Sequence, residues 1–164
     1  MVHHTIAGFK AAVRAGETKT QEFRDKEHQF NDFYSESHGK RRKGTQGETE
    51  YLSRHGEIVD ALKAWRESSG LPHGGRLVKN VLIDMGVRDG EELVEVYEVK
   101  TSTRRSDIYT AMGQLLVHGS SENCRRFVVL PEKEPLAHDL IEALRRLGIK
   151  DLRFKLSKSK ATII

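Results

Sequence analysis

Three charged residues stand inside apolar segments of this chain, where charge is costly unless it is paired or bound to a metal. Asp84 lies within residues 80–87 (NVLIDMGV), and Glu98 and Lys100 lie within residues 96–102 (VYEVKTS). Two carboxylates suit a hard divalent cation such as Mg²⁺, for which Mn²⁺ can substitute. A lysine suits the attacking water or the negative charge that develops on a phosphate. The combination predicts metal-assisted hydrolysis of a phosphodiester, with Asp84 and Glu98 as the metal ligands.

The surrounding sequence predicts an α/β domain that positions these residues. Apolar and aromatic side chains recur at spacings of three and four between Glu48 and Ser69, as on one face of a helix. An Asp-Gly pair at 89–90 predicts a hairpin between two strands. The predicted strands are residues 77–87, 93–101 and 127–130 with an edge strand at 152–156, and the predicted helices are residues 48–69, 106–118 and 135–147. This order predicts a small mixed β-sheet flanked by helices.

The alternation of side chains along a strand restricts how the charged residues can meet. Glu98 and Lys100 share a face because they are two positions apart. If the Asp-Gly pair alone formed the hairpin loop, Asp84 would pair with Glu95 and would face away from Glu98. We therefore predict a loop with an odd number of residues, or a β-bulge, within residues 87–93.

Asp84 followed by Glu98-Val99-Lys100 resembles the D…(D/E)-x-K signature of the PD-(D/E)XK nuclease superfamily, which includes restriction endonucleases and Holliday-junction resolvases. Ile83 stands where the family name has proline. The order of a helix, an Asp strand, a hairpin, a Glu-x-Lys strand and a helix bearing a glutamine extends the resemblance over residues 48–156. It implies a restriction-endonuclease-like core and a Mg²⁺-dependent DNA endonuclease of restriction, repair or mobile-element type. It also implies that Gln114 orients the site.

The family places an acidic residue on the helix before the sheet, and this sequence offers two candidates for that role. Counting back from the apolar pair Ile58-Val59 leads to His55, whereas Glu57 is an acidic residue nearby. Histidine can ligate a metal or act as a base, although a histidine on a helix face more often packs against its neighbours. Both Glu57 and His55 are therefore candidate catalytic residues, and the choice between them stays open.

The formal net charge of +4 is unevenly distributed along the chain. One basic island is Lys40, Arg41, Arg42 and Lys43. A second, residues 145–160, holds seven basic residues against one acidic residue. Such islands suit a polyanionic partner, although an ordinary solvated surface would also explain them. Arg104 and Arg105 follow the Glu-x-Lys strand closely, so we expect them and the 40–43 island to bind backbone phosphates of duplex or branched DNA.

The length and composition of the chain limit the number of domains and the classes of protein to which it can belong. A chain of 164 residues predicts one domain, which we place at residues 47–164 after a polar arm at residues 1–46, in which residues 21–34 can form a helix. The single cysteine excludes an internal disulfide and cysteine-rich zinc modules. No apolar run approaches the ~20 residues of a membrane helix, so we expect a soluble cytoplasmic protein without a membrane partner.

Oligomeric state and substrate leave alternatives open. An enzyme that cuts both strands of DNA needs two active sites, which favours a two-fold homodimer. The alternative function is a nucleic-acid-binding or assembly module that keeps this fold without catalysis. RNA in place of DNA would change only the substrate.

Overall fold

The computed structural model describes residues 31–32, 46–158 and 160–164 of the chain. Within these residues the chain forms three helices and seven strands. The helices are α1 (Gln46–Ser68), α2 (Arg105–His118) and α3 (His138–Arg146). The strands are β1 (Asn31–Asp32), β2 (Gly75–Lys79), β3 (Met85–Asp89), β4 (Glu92–Val99), β5 (Arg125–Pro131), β6 (Ile149–Leu156) and β7 (Ala161–Ile163). The α/β class expected from the sequence is confirmed.

The seven described strands form one mixed sheet in which each strand pairs with the next along the chain. Strands β1 to β4 are antiparallel neighbours, β4 to β6 are parallel, and β7 returns antiparallel to β6. The two parallel connections pass through α2 and α3, as parallel neighbours require. The carboxyl ends of β4, β5 and β6 therefore meet at one edge of the sheet, which we call the carboxyl edge.

The sheet separates two apolar layers. Helix α1 covers one face, where Ile58 and Leu62 belong to the same buried cluster as Tyr97 of β4. Helices α2 and α3 cover the other face, where Leu115 of α2 belongs to the same cluster as Val128 of β5. Burying one such side chain contributes about 1.5–3 kcal/mol. Tertiary packing of this kind holds the helices on the sheet more than their intrinsic propensity does.

The predicted bounds of α1 and α2 agree with the structure to within two residues at each end. Helix α1 begins two residues before the predicted start and ends one residue before the predicted end, and α2 begins one residue early. Helix α3 begins at His138 rather than at Pro135, because Ala137 is its N-cap and has extended backbone angles. The predicted buried strand at 127–130 lies within β5.

The expected strand over residues 77–87 is wrong as a single strand. Strand β2 ends at Lys79, β3 begins at Met85, and a turn occupies the residues between them. The Asn80 side-chain oxygen accepts hydrogen bonds from the backbone N–H groups of Leu82 (2.8 Å) and Ile83 (2.9 Å). An asparagine side chain that captures backbone donors competes with strand formation, which explains the break.

Two further expectations are wrong at the margins of the sheet. The predicted edge strand at 152–156 is interior, because β6 pairs with β5 on one side and with β7 on the other. The predicted helix over residues 21–34 includes β1, which is a strand paired with β2. The rest of that predicted helix lies outside the described residues. No helix in the described part of the chain has the length and apolarity needed to cross a lipid bilayer.

Candidate functional site

A β-bulge in β4 shifts the register of the β3–β4 hairpin. Arg88 pairs with Leu93, whereas the adjacent Val87 pairs with Glu95, so Val94 is the extra residue. A bulge of this kind bends the strand and moves every later side chain by one position relative to the partner strand. The expected bulge is confirmed, one residue beyond the range in which the sequence predicted it.

The shifted register places Asp84 beside Glu98. Met85 pairs with Tyr97 beyond the bulge, so Asp84, just before Met85, and Glu98, just after Tyr97, lie at the same level of neighbouring strands. The two residues are almost fully buried, with exposed fractions of 6% for Asp84 and 4% for Glu98. Lys100, two residues after Glu98, lies on the same face as Glu98. Three charged residues selected from the sequence thus meet at the carboxyl edge.

Asp84 is bound from two sides. Its Oδ2 accepts a hydrogen bond from the backbone N–H of Val99 at 2.9 Å, across the hairpin. The His55 Nε2 atom lies 3.3 Å from the same oxygen. His55 comes from α1, and 13% of its side chain is exposed. Helix α1 therefore carries a histidine to the carboxylate that precedes β3.

Lys100 links Glu98 to helix α2. Its Nζ donates to Glu98 Oε1 at 2.8 Å and to Gln114 Oε1 at 3.0 Å. The Gln114 Nε2 donates in turn to the carbonyl oxygen of Leu82 at 3.2 Å, in the turn before Asp84. Gln114 is thus hydrogen-bonded to the lysine and to the turn, and it fixes the position of the ammonium group relative to Asp84.

The two helix candidates occupy different positions. His55 is mostly buried against Asp84, whereas Glu57, two residues later, is exposed on α1. Residues two apart on a helix point in widely different directions, because each residue advances the helix by 100°. The structure therefore brings His55, and not Glu57, to Asp84.

The candidate DNA-binding arginines lie at the amino-terminal end of α2. Arg104 and Arg105 are both exposed. Arg105 donates to both carboxylate oxygens of Asp139, at 2.5 and 2.9 Å, and these hydrogen bonds lower the pKa of Asp139. The charge of Arg105 is thus largely balanced within the chain, whereas Arg104 contributes an exposed cation. The 40–43 island lies outside the described residues.

The donor set at the carboxyl edge fits Mg²⁺ by type and number. Mg²⁺ binds through one or two carboxylates and keeps several waters, and Asp84 and Glu98 offer two carboxylates side by side. His55 adds an imidazole nitrogen next to Asp84. The described residues contain no cluster of three or more His, Cys, Asp or Glu side chains arranged to hold a metal. A two-carboxylate Mg²⁺ site does not require such a cluster.

Sequence reasoning missed the residue that shapes the approach to Asp84. Asn80 is buried, and its two hydrogen bonds close the turn whose carbonyl at Leu82 receives Gln114. The available signal was an asparagine between two short apolar runs, since asparagine favours turns of this type.

Sequence reasoning also missed a buried ion-pair network in the middle of β4. Glu95 accepts hydrogen bonds from Arg66 Nε at 2.6 Å, from Arg66 Nη2 at 3.0 Å and from the Tyr97 hydroxyl at 2.5 Å, and it also contacts Arg125. Burial alone would raise the pKa of Glu95, but the hydrogen bonds from Arg66 and Tyr97 outweigh it and lower that pKa. The network ties the carboxyl-terminal end of α1 to β4, and hence the helix that carries His55 to the strand that carries Glu98.

The geometry of the carboxyl edge is thus defined by a bulged hairpin, a side-chain-capped turn and two helices on opposite faces of the sheet. Comparison of the chain with known protein families, with curated proteins and with solved structures found no match.

Proposed function

We propose that this protein is a metal-dependent DNA endonuclease with a PD-(D/E)XK-like site on a restriction-endonuclease-like core. The observation that carries the proposal is the convergence of Asp84, Glu98 and Lys100 at the carboxyl edge. Without a bulge, Asp84 would face away from Glu98, and the bulge at Val94 brings the two carboxylates to the same level of the hairpin.

The chain's own residues supply most of the mechanism. Asp84 and Glu98 would hold the metal, and Lys100 would donate a hydrogen bond to the attacking water or to a phosphate oxygen that gains charge. Gln114 would keep the Lys100 ammonium in place through its own contact to the turn. A bound Mg²⁺ lowers the pKa of a coordinated water and neutralises charge on the phosphate.

His55 would complete the site. Its Nε2 lies close enough to Asp84 to act as a further ligand or as a positioning donor for that carboxylate. Glu57 is exposed on a different side of α1, which leaves it without a role in this proposal.

The proposed substrate is the phosphate backbone of DNA, met at the exposed end of the site. Arg104 lies at the start of α2, a few residues after Lys100 in the chain, and its exposed cation can contact a phosphate without reading sequence. Because phosphate contacts release counterions, binding would weaken steeply as salt concentration rises.

Cleavage of supercoiled plasmid tests the proposal. The wild-type chain would nick or linearise plasmid in Mg²⁺ or Mn²⁺ and would be inactive in EDTA. Lys100→Ala would slow cleavage by at least ~100-fold, the loss typical of removing one group that stabilises transition-state charge. Lys63→Ala is the matched control, because Lys63 makes an exposed ion pair with Glu67 on α1 and is expected to leave cleavage unchanged.

Metal binding gives a second measurement that does not depend on turnover. Titration calorimetry with Mn²⁺ would show binding to the wild-type chain and a loss of at least ~10-fold in affinity for Asp84→Asn and Glu98→Gln. Cleavage that persists in EDTA would refute the metal mechanism. Binding of DNA without cleavage in any of the metals would instead support the alternative function, a binding module without catalysis. Cleavage of RNA alone would make RNA the substrate in place of DNA.

One pair of variants distinguishes the two candidate catalytic residues on α1, His55 and Glu57. His55→Ala would reduce cleavage and Mn²⁺ affinity, whereas Glu57→Ala would change neither by more than about twofold. The reverse result would assign the helix position to Glu57.

A further inference from the structure

A groove runs along the side of α3 that faces away from α2. It lies between α3 and the first residues of β6 and has a volume of about 410 Å³. Its apolar walls are formed by Leu136, Ile141, Leu144 and Ile149. The other side of α3 faces α2, since Asp139, two residues before Ile141, pairs with Arg105 of that helix. We call this feature the α3 groove.

The sheet surface beside the α3 groove is exposed. Side chains alternate between the faces of a strand, and Phe154 of β6 and Ile163 of β7 belong to the buried cluster on the α1 face. Their neighbours Lys155 and Ile164 therefore lie on the α3 face, and both are exposed, Ile164 by 56%. In the described part of the chain, α2 and α3 cover this face of β4 and β5 but leave the outer part of β6 and β7 open.

The open surface has room for one helix. Helices packed side by side have axes 8–10 Å apart, and neighbouring strands are about 4.8 Å apart. A helix that packs against α3 would therefore lie about two strands further along the sheet, over the open part of β6 and β7. Ile141, which is 49% exposed on this side of α3, would contact such a helix. A groove with apolar walls beside an open sheet face suits the apolar side of an amphipathic helix.

The chain around the α3 groove is strongly basic. The segment 145–160 holds seven basic residues against one acidic residue, and the proposed catalytic site uses none of them. The acidic residue, Asp151, accepts a hydrogen bond from Arg153 Nε at 3.0 Å, so its charge is balanced locally. The surface that borders the groove therefore carries an excess of positive charge.

Two exposed cations lie towards opposite ends of the groove. Arg145, in the last turn of α3, lies 3.8 Å from Glu142, which is beyond hydrogen-bond distance and leaves its guanidinium available to a ligand. Lys155 is exposed near the end of β6. From Ile149, beside the first cation, to Lys155 is six residues, or about 20 Å of strand. A helix of about 14 residues has this length.

The combination of apolar walls and basic ends selects one kind of occupant. A DNA backbone could pair with the cations, but it would leave the exposed side chains of Ile141 and Ile164 without an apolar partner. A second copy of the chain would bring the same excess of positive charge against itself, and like charges facing each other oppose association. A helix with an apolar side and flanking carboxylates would contact the isoleucines and pair with Arg145 and Lys155.

We propose that the α3 groove and the adjoining face of β6 and β7 bind an acidic amphipathic helix of a partner protein. The surface is separate from the carboxyl-edge site, so binding does not depend on nuclease activity. One helix of this length covers roughly 200 Å², well below the ~800 Å² per partner of a standard interface. The complex with a single helix is consequently weak, with a dissociation constant in the micromolar range.

Selection from a displayed library of helical peptides of about 14 residues tests which chemistry the surface takes. The full chain is the bait, EDTA is present throughout, and the library leaves the charge of each peptide unconstrained. The enriched peptides are expected to carry apolar residues at spacings of three and four, flanked by Asp and Glu. Enrichment of basic or uncharged helices, or no enrichment at all, would overturn the proposal.

Fluorescence anisotropy with one enriched peptide locates the binding surface. Ile141→Glu and Lys155→Glu alter exposed side chains and are expected to keep the circular dichroism spectrum of the wild type while weakening peptide binding at least about tenfold. Arg76→Glu is the matched control, because it makes the same kind of charge change at an exposed residue of β2, four strands from β6. It is expected to change the affinity by less than about twofold.

Three results would overturn this assignment. Unchanged binding by Ile141→Glu and Lys155→Glu would place the peptide elsewhere, and an equal loss with Arg76→Glu would reduce the effect to general charge attraction. Duplex DNA that displaces the peptide, and whose own affinity falls as far in Lys155→Glu, would assign the surface to DNA. Self-association of the wild type that Ile141→Glu abolishes, measured by sedimentation, would assign it to a second copy of the chain.

Discussion

Glu95→Gln is the substitution that most directly tests how α1 is held on the sheet. The glutamine keeps the size of the side chain but removes its charge, which leaves Arg66, only 7% exposed, without its counter-charge. Removing one partner of a buried ion pair costs about 3–5 kcal/mol. At about 2–4 °C per kcal/mol for a chain of this size, the melting temperature is expected to fall by roughly 6–20 °C.

The effect should also depend on pH in a defined direction. The pKa of Glu95 is lowered from its ordinary value of 4.5 in the folded chain. A group with a lowered folded pKa stabilises the fold above its unfolded pKa and loses that contribution as pH falls through the folded value. The difference in unfolding free energy between the wild type and Glu95→Gln should therefore be full at pH 7 and should shrink once the pH is taken below about 4.5.

Urea unfolding followed by circular dichroism at pH 7 and at pH 3–4 measures both effects. Glu91→Gln is the matched control, since Glu91 lies in the same hairpin, pairs with Arg88 and has a side chain that is 91% exposed. It is expected to change the free energy of unfolding by less than about 1 kcal/mol. A Glu95→Gln loss no larger than that of Glu91→Gln, or a loss that is the same at both pH values, would refute the argument.

Three further substitutions probe the turn, the end of α2 and an exposed ion pair. Asn80→Ala removes two hydrogen bonds to the backbone and is expected to lower the free energy of unfolding, measured in urea, by about 1–3 kcal/mol. A loss below about 0.5 kcal/mol, which is less than one typical hydrogen bond, would mean that the turn forms without the Asn80 side chain. Gly119→Ala would place a Cβ 2.6 Å from Val96 Cγ1 and 2.9 Å from the Leu115 carbonyl, so a loss of about 1–3 kcal/mol is expected in a thermal melt, and an unchanged melting temperature would contradict it. Arg105→Ala breaks an exposed pair with Asp139, so the melting temperature is expected to stay almost unchanged and any difference to shrink in high salt. A clear loss that does not depend on salt would show that the pair stabilises the fold more than its exposure suggests.

The helices were the part of this fold that the sequence predicted best. The apolar residues of α1 recur from Tyr51 to Trp65, over about four turns, and the buried residues of α2 recur at the same helical spacing. Periods of this length are difficult to produce by chance and are insensitive to the rest of the fold. The sequence predicted that Asp84 and Glu98 would meet only if the hairpin contained a bulge or a loop with an odd number of residues, because side chains alternate between the two faces of a strand.

Features that depend on long-range contacts could not be predicted. Nothing local in the sequence links Arg66 to Glu95, which are 29 residues apart and meet only after the sheet has formed. The turn after β2 was missed because the side chain of Asn80 outweighs the strand propensity of the apolar residues that follow it. Strand β7 was missed because three residues are too few to show alternation.

The position of β7 has a consequence for how the chain acquires its structure during synthesis. Ala161 and Ile163 belong to the same buried layer as Ile58 and Leu62, more than 95 positions earlier on α1. A ribosome releases the chain from its amino-terminal end, so α1 emerges long before the strand that completes its layer. Until residues 161–163 are synthesised, one side of α1 stays uncovered, and contacts of such high sequence separation form slowly. The apolar layer that holds α1, and with it His55, is therefore completed only when β7 has been synthesised.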